Sequence, residues 1–327
     1  MERFPACSRP ASSAVAAAFP ALLLLAPAVA QEYPQRPVRI VVNVSAGGGV
    51  DGIARLMAQH YSAVWSQTFI VDNRPGAGGR IGVDTVARAA ADGHTLLVSS
   101  GTVVTNAAVS AQGYDPVTDL QPITRLISAP YAIAVSPNLA ASSLKELLAI
   151  AAQKPGRISF ASAGNGSITH MGAELLASMA NVQMLHVPYK GVAEAYPAVS
   201  TGQVDWILGN PASVMPLVKA GRLKVLAVTS PARMAALPDV PSVAEAGVPG
   251  YDVTGWYGMF APPRTPATIV SRLHAEARNR LKSPEVAKRL EAEVADPVGN
   301  TPAEFAAEVK AEYVKWKALA ARRGITP

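Results

Sequence analysis

The chain has 327 residues, 29 lysines and arginines against 23 aspartates and glutamates, a formal charge of +6 and one cysteine, Cys7. A single thiol excludes an intramolecular disulfide and a multi-cysteine metal site. Positives such as Lys310, Lys315, Lys317, Arg322 and Arg323 share their segment with Glu304, Glu308 and Glu312 instead of interleaving with aromatics, which leaves no nucleic-acid footprint, and the length exceeds one ordinary core, so two domains are expected.

Arg3 and Arg9 precede an apolar run over 14–29 that ends in Ala28-Val29-Ala30. That is the pattern of a secretory signal peptide over residues 1–30, with a small-x-small cleavage site, and it predicts an exported, soluble protein starting near Gln31. A membrane anchor fits poorly, because the run is short and broken by Pro20 and Pro27. Cys7 lies inside the removed segment, so the exported chain carries no thiol, and the loss of Glu2, Arg3 and Arg9 lowers its charge by one.

Strand-like runs follow at 38–44, 68–71, 95–99, 132–135, 158–161, 184–187, 204–208 and 223–228, alternating with amphipathic helical stretches. This alternation is the signature of an α/β chain with mostly parallel sheets. Helix starts are marked at Ser143-Leu144-Lys145-Glu146 and Thr301-Pro302-Ala303-Glu304 by a hydroxyl N-cap and a glutamate three residues on; Ser283-Pro284 and Thr265-Pro266 read similarly.

The first run leads into SAGGGVDGIAR at 45–55, where Gly47-x-Gly49-x-x-Gly52 and Asp72 match a dinucleotide fingerprint. Nicotinamide cofactors are cytoplasmic, so in an exported chain a dehydrogenase is the weakest reading, and no Gly-Lys-Ser/Thr makes a phosphate loop. What remains is a helix start whose N–H groups favour an anion, and a carboxylate serves as well as a phosphate. A counterpart occurs at SAGNGSITH, 162–170, after the run at 158–161. Either turn alone reads as an ordinary tight connection; the pair, in a two-domain exported chain, points to a cleft closing on a small carboxylate.

His60, His94, His186 and His274 show no metal spacing, so neither a zinc site nor any cofactor is expected. No Gly-x-Ser-x-Gly elbow is present, and the alternative of an exported α/β enzyme acting on an organic acid through Ser162 or Ser99 has no motif behind it. The polar run 72–76 reads as a rigid turn held by Asp72 and Arg74, and Trp256 as a packing residue.

Ordered motifs then identify a resemblance. They are Tyr33-Pro34-x-x-Pro37-Val38-Arg39, Gly47-Gly48-Gly49-x-Asp51, Asp72-Asn73-Arg74-Pro75-Gly76-Ala77-Gly78-Gly79, Ala91-Asp92-Gly93-His94-Thr95-Leu96-Leu97, Tyr114-Asp115-Pro116, Ala161 to Ser167, His186-Val187-Pro188-Tyr189-Lys190-Gly191, Leu226-Ala227-Val228-Thr229 and Leu237-Pro238-Asp239-Val240-Pro241. Over 33–320 the chain resembles the periplasmic solute receptors of tripartite tricarboxylate transporters, the Bug receptors.

The resemblance implies a periplasmic two-domain clamshell and no enzyme activity. Each domain is expected to be a mostly parallel sheet flanked by helices, with domain 1 from 31–130 plus 254–327, domain 2 from 131–253, and crossings near 128–132 and 252–256. The implied partners are a small organic acid and the membrane permease subunits of such a transporter, with the receptor a monomer. Carried over by position, the ligand-binding residues are Gly48, Gly49, Asp51, Ser99 and Ser100 on one wall and Ser162, Ala163, Gly164, Asn165, Ser167, His170 and Asn210 on the other. Backbone N–H groups, hydroxyls and water would hold the carboxylates, in line with the absence of Lys and Arg from 45–51 and 162–167. His170 reads equally as a structural residue. Where the family usually has a proline pair before the glycines and a small hydroxyl after, this chain has Ser45-Ala46 and Val50. Aromatic acids, dicarboxylates, tricarboxylates and amino acids all remain open as ligands.

Overall fold

The run VRIVV forms β1 (Val38–Val42), in which every residue but Arg39 is buried. A strand apolar on both faces belongs inside a sheet, and the computed structural model places β1 between β2 (Phe69–Asn73) and β3 (Thr95–Ser100), parallel to both. The structure describes residues 1–2, 33–110 and 113–326, so the expected signal peptide with its cleavage site, and Cys7, lie outside the described residues. From Tyr33 onward the chain forms one compact unit.

That unit holds two mixed sheets flanked by helices. The first continues from β3 through β10 (Thr254–Ala261) and β4 (Gln121–Pro130) to the short edge strand β11 (Asp296–Pro297). The second has the order β7 (Leu185–Pro188), β6 (Ser159–Ser162), β8 (Trp206–Gly209), β5 (Ala132–Val135), β9 (Lys224–Val228). The expectation of mostly parallel sheets needs refinement, because β10 in one sheet and β5 in the other run against both of their neighbours. Parallel neighbours require a crossover connection; β5 and β10 are the strands entered directly from the opposite sheet, so each arrives reversed. The pairing of β4 with β10 was not legible in the sequence, since Pro122, Pro130, Gly255 and Gly258 demote both runs as strands.

Helices cover the sheets: α1 (Gly49–Trp65), α2 (Arg80–Ala87), α3 (Thr102–Val109), α4 (Leu144–Gln153), α5 (Ile168–Met179), α6 (Val192–Thr201), α7 (Pro211–Lys219), α8 (Ala267–Leu281), α9 (Pro284–Glu293) and α10 (Pro302–Arg323). Ser143 caps α4, Ser283 caps α9, and Thr301 with Glu304 forms a full capping box on α10. The fourth expected cap differs. Pro266 is the N-cap of α8, and the Thr265 hydroxyl donates backward to Pro262 O at 2.8 Å, because the turn before the helix uses it first.

One apolar core runs under both sheets, joining Phe260, Phe305 and Trp316 to Phe160, Trp206 and Leu208. Trp256 is buried in it, edge-on to Phe305, with its Nε1 donating to Glu312 Oε1 at 2.8 Å. At its far end α10 reaches the second sheet's helices, where Arg323 Nε donates to Glu174 Oε2 on α5 at 2.8 Å. Asp72 and Arg74 bond each other at 2.9 Å, while Arg39 of β1 approaches Asp72, so the polar run after β2 is tied to the sheet.

The chain leaves the first sheet through Tyr131, between β4 and β5, and returns through Val253, just before β10. Thr229 clasps both passages. Its N–H donates to Tyr131 O at 2.9 Å, and its Oγ1 accepts from Tyr131 N at 2.8 Å and donates to Val253 O at 2.8 Å; Val253 N in turn donates to Thr229 O at 3.0 Å. Thr229 is fully buried. Thr229→Val keeps the shape and strands Tyr131 N–H and Val253 C=O, so urea unfolding is expected to show a loss of about 2 kcal/mol. An unchanged midpoint would mean that water replaces the hydroxyl.

Candidate functional site

Helix α1 begins on a residue with no side chain. Gly48 is its N-cap, in the extended region at φ −87° and ψ 173°, and no side chain caps it. The first-turn N–H groups of a helix have no acceptor inside the helix, so those of Gly49, Val50 and Asp51 face outward for an external one. The turn before them is held from behind: Gly47 N donates to Asp51 Oδ2 at 2.9 Å, Arg55 Nε to the same oxygen at 3.0 Å, and Asn73 Nδ2 to Asp51 Oδ1 at 3.0 Å. The Arg55 hydrogen bond, which outweighs the burial of the carboxyl, and the bonds from Gly47 and Asn73 lower Asp51 to about 2. Asp51 is thus an ionised brace for the turn.

In front of this turn lies a cavity of about 280 Å³, lined on one side by Gly47, Gly48, Gly49, Asp51 and Gly52, and on the other by Asn210, Ala212 and Ser213 at the start of α7. Tyr257 of β10 and Arg289 of α9 complete it. A Cβ on Gly49 would lie 2.6 Å from the Tyr257 hydroxyl, so any larger residue there must push the Tyr257 ring aside. Asn210 is the N-cap of α7, and its Oδ1 accepts from Ala212 N at 2.8 Å, which turns its Nδ2 into the remaining donor. Val50 is buried in the core beside β1, so the departure from the family pattern at this position changes packing and adds no side chain to the cavity.

The turn after β6 is arranged differently, because it satisfies itself. Ala163 N donates to Thr169 Oγ1 at 3.0 Å, Gly164 N to Ser162 Oγ at 3.1 Å, Gly166 N to His170 Nδ1 at 3.2 Å and Ser167 N to Gly164 O at 3.2 Å. Ser167 also caps α5 by accepting from His170 N. Asn165 alone is exposed, and it lines a second cavity of about 340 Å³ with Gly78, Arg80 and Asn106. The structure therefore gathers Gly48, Gly49, Asp51 and Asn210 about one cavity, puts Asn165 on another, and buries Ser162, Ser167 and His170. Ser99 is also buried, its hydroxyl donating to Ser100 O, and Ser100 Oγ accepts from Thr102 N. The local sequence held the clue: Ser, Thr and His within six residues of a glycine turn compete for its N–H groups.

Beneath that turn the rings of Phe160, His170 and His186 stack, with the two imidazoles 3.8 Å apart. Burial, reinforced by His186, lowers His170 to about 3, and burial lowers His186 to about 4, so both rings are neutral at physiological pH. Ser162 Oγ lies 2.6 Å from His186 Nε2, the contact that a serine nucleophile would need. That oxygen is fully buried and already bonded within its own turn, so it offers nothing to a substrate. Among the described residues no cluster of His, Cys, Asp and Glu is arranged to hold a metal.

Residues 53–325 match the family model described as "Tripartite tricarboxylate transporter family receptor". Rpa4515 of R. palustris, solved with adipate, is 34% identical with a TM-score of 0.80, covering 90% of this chain and 100% of that one. The periplasmic binding protein BugD is 33% identical with a TM-score of 0.78, over 90% and 99%. MatC (Rpa3494) from Rhodopseudomonas palustris, with bound malate, is 30% identical with a TM-score of 0.77, over 88% and 99%.

Proposed function

We propose that this chain, which belongs to the tripartite tricarboxylate transporter receptor family, takes one end of a small dicarboxylate into the cavity between the turn at Gly48 and the start of α7. It has the two-domain periplasmic-binding-protein fold and is a solute receptor of the periplasmic Bug type, not an enzyme. The observation that carries the reading is the uncapped start of α1, whose N–H groups open onto a polar cavity. Binding of adipate and malate by Rpa4515 and MatC supports a dicarboxylate. The first turn from Gly49 to Asp51 supplies the N–H groups, Gly48 leaves them uncapped, the Asp51 carboxylate braces the turn, and Asn210 donates from across the cavity. In this reading Asn165, exposed on the cavity with Gly78 and Asn106, would meet the far end of the ligand.

Because Gly48 follows the first sheet and Asn210 the second, a ligand held by both favours the closed arrangement, and the chain passages at Tyr131 and Val253 are where closure bends. Export through residues 1–30 and delivery to the membrane subunits of the transporter belong to the same reading.

A thermal-shift screen over C3 to C8 dicarboxylates tests it, since a ligand at about 1,000 times its Kd adds about 4 kcal/mol. Gly48→Asp sharpens the test. Space is open around a Cβ there and the backbone suits a capping residue, so the variant is expected to melt no lower than wild type. Its own carboxylate would occupy the first-turn N–H groups, and affinity for the best acid should fall about tenfold or more. Undiminished binding in that variant would remove the turn from the site.

A further inference from the structure

We infer that Ser213 holds a ligand oxygen in this cavity and that Tyr196, behind it, sets the direction of the Ser213 proton. The inference rests on the reading above and adds a second donor to the wall opposite the glycine turn. That wall differs from the start of α1, because its backbone is already used. Pro211 at the first position of α7 has no N–H, Ala212 N donates to Asn210 Oδ1 at 2.8 Å, and Ser213 N and Val214 N both donate to Asn210 O at 3.0 Å. Side chains are therefore what this wall can offer an anion. Asn210 Nδ2 is one such donor, and the hydroxyl of Ser213, an exposed residue that lines the cavity, is the other.

A lone serine hydroxyl can turn its proton either way. Tyr196 of α6 removes the choice. The residue is 9% exposed, and its ring lies against the bare backbone of Gly209, where a Cβ would stand 3.1 Å from Oη and 3.2 Å from Cε1. Burial raises the phenol, and the Asn210 N–H and the Ser213 hydroxyl beside its oxygen draw it back. Among the described residues Oη completes no hydrogen bond, so it stands buried with its proton uncommitted. Of its two neighbours, the Asn210 N–H can only donate. In the bound state Tyr196 Oη therefore accepts from Asn210 N and donates to Ser213 Oγ, which leaves the Ser213 proton to point into the cavity. The donors run one way, from Asn210 N–H through Tyr196 and Ser213 to the ligand oxygen, and hydrogen bonds in such a row strengthen one another. A carboxylate in front of Ser213 draws the row closed. A ligand group that itself donates a hydrogen meets the Ser213 proton and is disfavoured.

Titration calorimetry with the C3 to C8 dicarboxylate series on wild type, Ser213→Ala, Ser213→Thr, Tyr196→Phe and Tyr196→Phe in the Ser213→Ala background decides the matter. Ser213→Ala should lose about tenfold in affinity for the acid that wild type binds best, with an unchanged urea midpoint because the residue is exposed. Ser213→Thr keeps a hydroxyl at the same point and should stay within about threefold of wild type. Tyr196→Phe should lose about 3- to 10-fold on its own and nothing further in the Ser213→Ala background, since a residue acting through another is silent once that group is gone. Affinity of Ser213→Ala within about twofold of wild type overturns the role of Ser213 and leaves the proposed function standing. A Tyr196→Phe loss of equal size in both backgrounds overturns its action through Ser213. Failure of wild type to bind any member of the series overturns the inference and the proposed function together.

Discussion

Asp51→Ala is expected to destabilise the fold by about 3 to 4 kcal/mol, read as a shift of the urea midpoint at neutral pH. The carboxylate is 3% exposed and accepts from Gly47 N, Arg55 Nε and Asn73 Nδ2. Alanine takes the acceptor from all three bonds, leaving Asn73 Nδ2 with Val44 O alone at 3.1 Å, and bonds to a charged group are the costly ones to break. The pH dependence has a definite sign. The folded carboxyl sits at about 2, below its ordinary value of 3.8, so its contribution is complete above roughly pH 4 and is lost as pH falls through about 2. The gap between variant and wild type should therefore stay constant from about pH 8 to 5 and narrow only below about pH 4. A gap under about 1 kcal/mol at neutral pH would show that the turn is held by something other than Asp51.

The stacked histidines produce a second large effect in a different pH window. His170 and His186 are held at about 3 and about 4 against an ordinary value of 6.5, mainly because burial penalises the charged ring. Between those values the unfolded chain binds protons that the folded chain refuses, so stability is complete above roughly pH 6.5 and falls as pH drops toward 4. From about pH 8 to about pH 5 the pair should lose about 2 to 4 kcal/mol, with the half-exposed His186 contributing the smaller part. His186→Phe preserves the stack on Phe160 and leaves Ser162 Oγ with Gly164 O as acceptor at 3.2 Å. This variant should flatten the pH dependence by its own share. A wild-type midpoint independent of pH over that range would mean that both rings take up their protons in the folded state as readily as in the unfolded one.

The histidine stack also explains why one glycine turn keeps its N–H groups open and the other does not. Both turns look alike in sequence, a strand followed by small residues and a helix start. In the first, the N-cap is a glycine and the nearest acid braces from behind, so the N–H groups stay available. In the second, Ser162, Thr169 and His170 fold back onto the turn, and His186 from β7 backs Ser162. Counting glycines does not distinguish these cases; counting acceptors within reach does.

By itself the sequence determined the α/β alternation, the strands around β1 and β6, the capping box on α10 and the glycine start of α1, because each depends on the side-chain period or on chemistry within a few residues. Tertiary structure alone decided that β4 and β10 pair, that Thr229 clasps both chain passages, that α7 and not the turn after β6 faces Gly48, and that Arg289 of α9 lines the same cavity. The physical reason is common to all four. Each is a hydrogen bond or close approach between segments far apart in the chain, and its formation depends on how two sheets pack around one core, which no local pattern encodes.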